Sequence, residues 1–294
     1  MTTVMEKYTY PAAPAATVPF AVAAAPALSN PLQNRLLAML PDAERTRLLP
    51  HLEQVELPLG KVLHECGGSS SYVYFPTTAI VSLMHLLNDG ASAEIAATGC
   101  DGVVGFTHLM GGGTTTSRAV VQCAGAGYRL KAHFIAAELG RAGPILNLLL
   151  RHTQALMTQT AQIAVCNRHH CLDRQLCRWL LLTLDRLTTN EITMTQELVA
   201  SLLGVRREGV TAAAGRLQVA GLIRYRRGRI SVLDRVGLEQ RACECYAVVR
   251  REYERLLPAP ASSSIAARIL NLRAAAQSPR TLRLAPDAEA CSLG

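Results

Sequence analysis

Residues 195–235 read TQELVASLLGVRREGVTAAAGRLQVAGLIRYRRGRISVLDR, and no other stretch restricts the fold as tightly. Thr195 can cap a helix, its hydroxyl accepting an orphan backbone N–H. Leu198, Val199, Leu202 and Leu203 then form one apolar helical face. Gly204 supplies the left-handed residue that ends such a helix. A second helix is predicted over 207–220, with Val210, Ala213, Ala214 and Leu217 as its inner face and Gly221 closing it. Small Ala200 lets the two helices cross closely, while Val205 and Val210 fill the angle between them. Helix, short glycine turn, helix is the helix-turn-helix arrangement. The β-prone runs 222–226 and 229–233 flank Arg227-Gly228 and predict a hairpin, or wing.

Charge gathers on the same segment. The chain carries a formal +8, with Lys7, Lys61 and Lys131 its only lysines. Eight arginines (206, 207, 216, 224, 226, 227, 229 and 235) lie between Gly204 and Arg235, against the acids Glu208 and Asp234. Such a cluster is the footprint of a phosphate-facing surface. The outward residues that open the second helix are Arg206, Arg207, Glu208, Thr211 and Ala212, the positions that meet base edges in a major groove. Arginine can grip guanine, glutamate can accept from cytosine, and threonine can touch a thymine methyl. The wing arginines would lie beside phosphates, holding register. The expected DNA-contact set is Thr195, Gln196, Arg206, Arg207, Glu208, Thr211, Arg216, Arg226 and Arg227.

Ahead of this segment the texture changes twice. Residues 32–52 read as short helical pieces, the second opened by Pro41-Asp42. From Val55 to about Leu130 the pattern is of short β-rich runs (VELPLGKVLHE, YVYFPTTAIVSLMHLL, AEIAAT, SRAVVQ) with glycine-bearing turns between them. This argues for a sandwich, barrel or roll, with Asn88-Asp89-Gly90 as the strongest hairpin signal. Residues 144–170 contain no glycine and no proline after Pro144, so a long helix is expected. Leu149, Leu156 and Ile163 recur every seven residues, as do Leu150, Met157 and Ala164, which together read as a dimer seam. A further helix over 171–188 carries Leu176, Trp179, Leu180 and Leu184, followed by a short strand near 192–194.

The 195–235 segment resembles the C-terminal domain of the Crp/Fnr family of bacterial transcription regulators, and the likeness extends over roughly residues 30–257. VYFPTTAIVSLMHLLNDGASAEIAATGCDGVVG resembles the family's cyclic-nucleotide-binding-like β-roll, and residues 144–170 its dimerisation helix. The resemblance implies an α+β chain of an antiparallel β-roll sensor (31–143), a dimerisation helix (144–170) and a winged helix-turn-helix (171–257), while composition predicts a disordered Ala/Pro-rich arm (1–30) and a disordered tail (258–294). It implies a cytoplasmic homodimer on double-stranded DNA, in contact with RNA polymerase. The base-reading positions carry over to Arg206, Arg207, Glu208 and Thr211. Ala212 stands where many members have an arginine.

The effector site departs from the family. Its equivalents here are Gly105, Thr116, Ser117 and Arg118, with no acid after Gly105 and the serine and arginine in reversed order. A neutral loop is a poor anion cradle, so an effector other than cyclic AMP, or none, is expected. The glycine-rich GGGTTTS lacks a Walker ending. No cysteine precedes Cys66, so the family's iron–sulfur variant does not fit.

Neither a metal, a cofactor nor an enzymatic residue set is expected. His169, His170, Cys171 and Cys177 lack the usual zinc spacing. Cys243 and Cys245 would face two sides of one helix and read as packing. None of the nine cysteines falls in a C-x-x-C pair, so they read as reduced, buried apolar groups. Nothing marks His51, His64, His85 or His108 as a haem ligand. The prolines of the arm and its lack of a basic leading segment argue against a signal peptide. The rival reading is a ligand- or redox-binding signalling module whose helix-turn-helix contacts protein.

Overall fold

The computed structural model describes residues 30–259. The expected arm up to residue 29, and the tail from 260 with its 265–276 helix, lie outside them. Asn34 opens α1 (Arg35–Ala38): its side-chain oxygen accepts from the Leu36 and Leu37 N–H groups. Its amide donates to the carbonyls of Pro76 (2.9 Å) and Gly102 (2.8 Å), which pins the entering chain to the roll. Pro41 then precedes α2 (Asp42–Leu48).

Seven strands follow: β1 (Glu53–Leu57), β2 (Val62–His64), β3 (Tyr72–Pro76), β4 (Ile80–Leu86), β5 (Ser92–Thr98), β6 (Arg118–Cys123) and β7 (Gly125–Lys131). They form two antiparallel sheets, ordered β1-β7-β3 and β2-β6-β4-β5. Asn88-Asp89-Gly90 turns the β4–β5 hairpin, with Gly90 left-handed and the Asp89 carboxylate accepting the Ala91 N–H. The β-rich run over 72–87 holds two strands in different sheets. The chain crosses over at Thr77-Thr78, where both N–H groups donate to the Ala126 carbonyl. Strand β7 and α3 (Ala132–Gly140) are additions to the sequence reading. GAGYRLK opens with turn-like glycines, yet they serve close approach. A Cβ on Gly125 would stand 2.5 Å from the Ala79 nitrogen, and one on Gly127 2.9 Å from the Phe75 carbonyl oxygen.

Helix α4 (Pro144–His169) leads to α5 (Leu172–Leu184). The two heptad series do not share a face. Leu149 and Ile163 are buried in their own chain, whereas Leu150 and Met157 are 49% and 68% exposed and Ala164 also faces out. The remainder is β8 (Glu191–Thr193), α6 (Gln196–Leu203), α7 (Arg207–Val219), β9 (Ile223–Arg226), β10 (Arg229–Val232), α8 (Arg235–Arg241) and α9 (Glu244–Leu256). Strands β8, β10 and β9 make a third, small antiparallel sheet. The single helix expected through LEQRACECYAVV breaks at Ala242, and Cys243 sits extended as the N-cap of α9. Contrary to expectation, Cys243 and Cys245 therefore do not face two sides of one helix.

One apolar core runs from the roll through α4 and α5 into the C-terminal helices. A polar network crosses the same interior. Arg186, just past α5, meets Asp101 of the loop after β5 with both carboxylate oxygens (2.8 and 3.1 Å), and both residues are buried. The guanidinium also lies over the Tyr253 ring of α9, 5.3 Å from its centre. Gln159 of α4, its amide paired with the Ala97 backbone at 2.7 and 3.2 Å, meets the Tyr253 hydroxyl at 2.9 Å. Roll, long helix and C-terminal helices thus converge on one buried ion pair. Among the described residues no helix is long and apolar enough to cross a membrane.

Candidate nucleic-acid interface

The Thr195 hydroxyl accepts the Leu198 N–H at 3.2 Å and so starts α6. Gly204, at φ +66°, ends it, and the Val205 N–H returns to the Ala200 carbonyl at 3.0 Å. Arg206 is the extended N-cap of α7. Val210, Ala213, Ala214 and Leu217 turn inward and are buried, whereas Arg206, Arg207, Glu208, Thr211 and Ala212 are exposed. Gly209 permits close packing here, since a Cβ would stand 2.9 Å from Leu172 Cδ2. Thr211 Oγ1 lies 2.8 Å from Gln196 Oε1, so the first residue of α6 and the second turn of α7 share one surface.

The wing is held from both sides. The Tyr225 hydroxyl donates to the Met194 carbonyl (2.8 Å), and its N–H donates to Gln218 of α7 (2.8 Å). At its tip Arg227 and Gly228 both have positive φ, +49° and +73°, the two-residue turn that suits strand twist. Arginine is ill suited to that left-handed position, where asparagine is tolerated. Arg227→Asn is expected to raise stability by about 0.5–1 kcal/mol in thermal unfolding. It should also weaken binding to duplex DNA and remove about one phosphate's share of the salt dependence.

Charge divides unevenly over the arginine cluster. Arg206, Arg207, Arg224, Arg226, Arg227 and Arg229 form no ion pair among the described residues. Arg216 differs: its guanidinium meets both oxygens of Asp173 on α5 (2.8 and 2.5 Å) while its side chain stays 55% exposed. Arg235 is likewise engaged, by Asp185 and Glu239. In sequence these two are indistinguishable from their free neighbours.

The reading module abuts the roll. Ser201 of α6 and Ser92 of β5 have their hydroxyls 2.8 Å apart, and a Cβ on Gly204 would touch Ala93 at 3.2 Å. Among the effector positions, Gly105 has φ +85°, and a Cβ there would stand 2.9 Å from the Tyr72 carbonyl oxygen. Thr116 is exposed, Ser117 is buried against Thr115, and Arg118 pairs with Glu65 at 3.1 Å. His64, in β2, is buried with neither ring nitrogen partnered. Burial, with His108 adding repulsion, pushes it down to about 4 and keeps it neutral.

Residues 174–241 match the family model of the Crp-like helix-turn-helix domain. No curated protein matches the sequence significantly. Among solved structures the chain is similar to FixK2 from Bradyrhizobium japonicum (17% identity, TM-score 0.55), covering 65% of this chain and 98% of that one. It is similar to a protein from Eubacterium rectale assigned to the Crp/Fnr transcriptional regulators (19%, TM-score 0.54; 70% and 96% covered). A Crp/Fnr transcriptional regulator from Thermus thermophilus is a third (21%, TM-score 0.52; 65% and 98% covered). At these identities the likeness is one of fold.

Proposed function

From a Crp-like helix-turn-helix domain carried on the fold of Crp/Fnr regulators, we propose that this protein is a dimeric, sequence-specific DNA-binding transcription regulator. The observation that carries the reading is the exposed Arg206-Arg207-Glu208 start of α7, beside unpaired wing arginines. Helix α7 enters the major groove by its N-terminus. Arg206, Arg207, Glu208 and Thr211 read base edges, while Thr195, Gln196, Arg226 and Arg227 hold the backbone. Two copies pair through the exposed Leu150, Met157 and Ala164 stripe, which sets half-sites ~34 Å apart. Such a dimer recruits or obstructs RNA polymerase.

The effector is not cyclic AMP in this reading, because no acid follows Gly105 and Ser117 and Arg118 stand in reversed order. The test is binding to duplex DNA across a salt series. The log of the affinity should fall linearly with the log of salt, by roughly 0.9 for each phosphate neutralised. A helix-turn-helix used only for protein contact would give no duplex binding and no such slope.

A further inference from the structure

The last turn of α4 and the first turn of α9 meet in a cluster that lies outside the reading surface. Cys166 and His170 are four residues apart, and the His170 N–H still closes the helical turn onto the Cys166 carbonyl at 3.0 Å. They therefore project to one side. Cys243 caps α9 and Cys245 follows inside its first turn. One thiol or imidazole atom from each of the four residues falls within 4.8 Å of every other. The Cys166 and Cys243 sulfurs are 3.5 Å apart, and Cys245 Sγ lies 3.6 Å from His170 Nδ1.

The two short separations fit the edges of a tetrahedron. A zinc ion about 2.3 Å from sulfur and about 2.0–2.1 Å from nitrogen holds its ligands roughly 3.6–3.8 Å apart. A disulfide would need its sulfurs at about 2.05 Å, and the three cysteines are all free. The surroundings match a ligand set as well. With Nδ1 turned to the sulfurs, His170 Nε2 lies 3.4 Å from the Glu244 carboxylate. That is the carboxylate–histidine arrangement that orients metal-bound imidazoles. Gln175 donates to the His170 carbonyl at 2.8 Å and fixes the end of α4.

Charge points the same way. The three sulfurs are buried together, with Cys243 and Cys245 at the N-terminal end of α9. Arg178 is 3% exposed, its Nε has no hydrogen-bond partner, and its charge acts on Cys166. Three thiolates and a neutral imidazole around a divalent cation carry a single negative charge, which answers that guanidinium.

We propose that Cys166, His170, Cys243 and Cys245 form a closed, four-ligand structural site for zinc or a like soft divalent cation. All four positions are filled by protein, so the ion would hold α9 against the end of the long helix, without chemistry of its own. Cys171 and Cys177 are not ligands, and the site revises the sequence expectation of no metal. It stands whether or not α7 reads DNA.

Full-length protein purified without chelator and assayed by elemental analysis should carry one zinc per chain. Grown with cobalt in place of zinc, it should show tetrahedral ligand-field bands and a thiolate-to-cobalt charge-transfer band. His170→Cys should keep the metal and intensify the charge-transfer band. Cys243→Ser with Cys245→Ser should lose the metal, and Cys66→Ser in the roll should keep it. Wild-type protein with only trace metal and no tetrahedral cobalt spectrum overturns the proposal, whatever the variants do. So does metal retained at full stoichiometry by the double serine variant.

Discussion

Arg186→Met is expected to destabilise the protein by about 3–5 kcal/mol, a fall in Tm of roughly 6–20 °C. The substitution leaves Asp101 buried opposite an apolar side chain. Burial alone pushes the Asp101 carboxyl up, but the charges of Arg186 and Arg35 and the Gly99 N–H outweigh it and hold the group below the ordinary range. In the wild type this contribution is present above about pH 4 and is lost as pH falls through the lowered folded value. In the variant the sign reverses. With its cation gone, buried Asp101 binds its proton more tightly folded than unfolded, so stability declines as pH rises. The gap between the two proteins should thus be widest near neutral pH and narrow in acid, as read by thermal melts across pH. Asp101→Leu combined with Arg186→Met removes both charges and should recover most of the loss. A double variant no better than the single would show that packing, not charge, sets the cost.

Alanine at Arg207 and Glu208 should abolish most discrimination between a specific site and random duplex. Each bidentate base contact is worth about 1–3 kcal/mol, or roughly a tenfold to hundredfold preference. Both residues are exposed at the start of α7 and carry no core packing. The fold and the salt slope of random-duplex binding should change little, since the wing arginines remain. Parallel measurement on selected and scrambled duplexes checks this. Equal loss on both would move Arg207 into the phosphate-contacting set.

The reading module was legible because its signals are local and mutually consistent. Thr195, Gly204 and Gly221 mark helix ends, and Val210, Ala213, Ala214 and Leu217 mark an inner face, all within one short window. Features that depend on distant partners were not legible. Arg216 looks free until α5 brings Asp173 beside it. Asp101 and Arg186 lie 85 positions apart, with nothing local to link them. Strand β7 was hidden because its glycines read as turn residues, while their use is to admit the Ala79 and Phe75 backbone. Two glutamates and an arginine surround Ala242 without any breaker residue, so the halt between α8 and α9 left Cys243 and Cys245 seeming to diverge.

The contact between Ser92 and Ser201 and the Asp101–Arg186 pair lie on the same seam between roll and reading module. Taking one partner from a buried ion pair leaves an uncompensated charge, which is strongly destabilising. Helix α6 and the end of α5 are therefore tied to the roll by both contacts. Any rearrangement that lifts these helices off the roll must first part them.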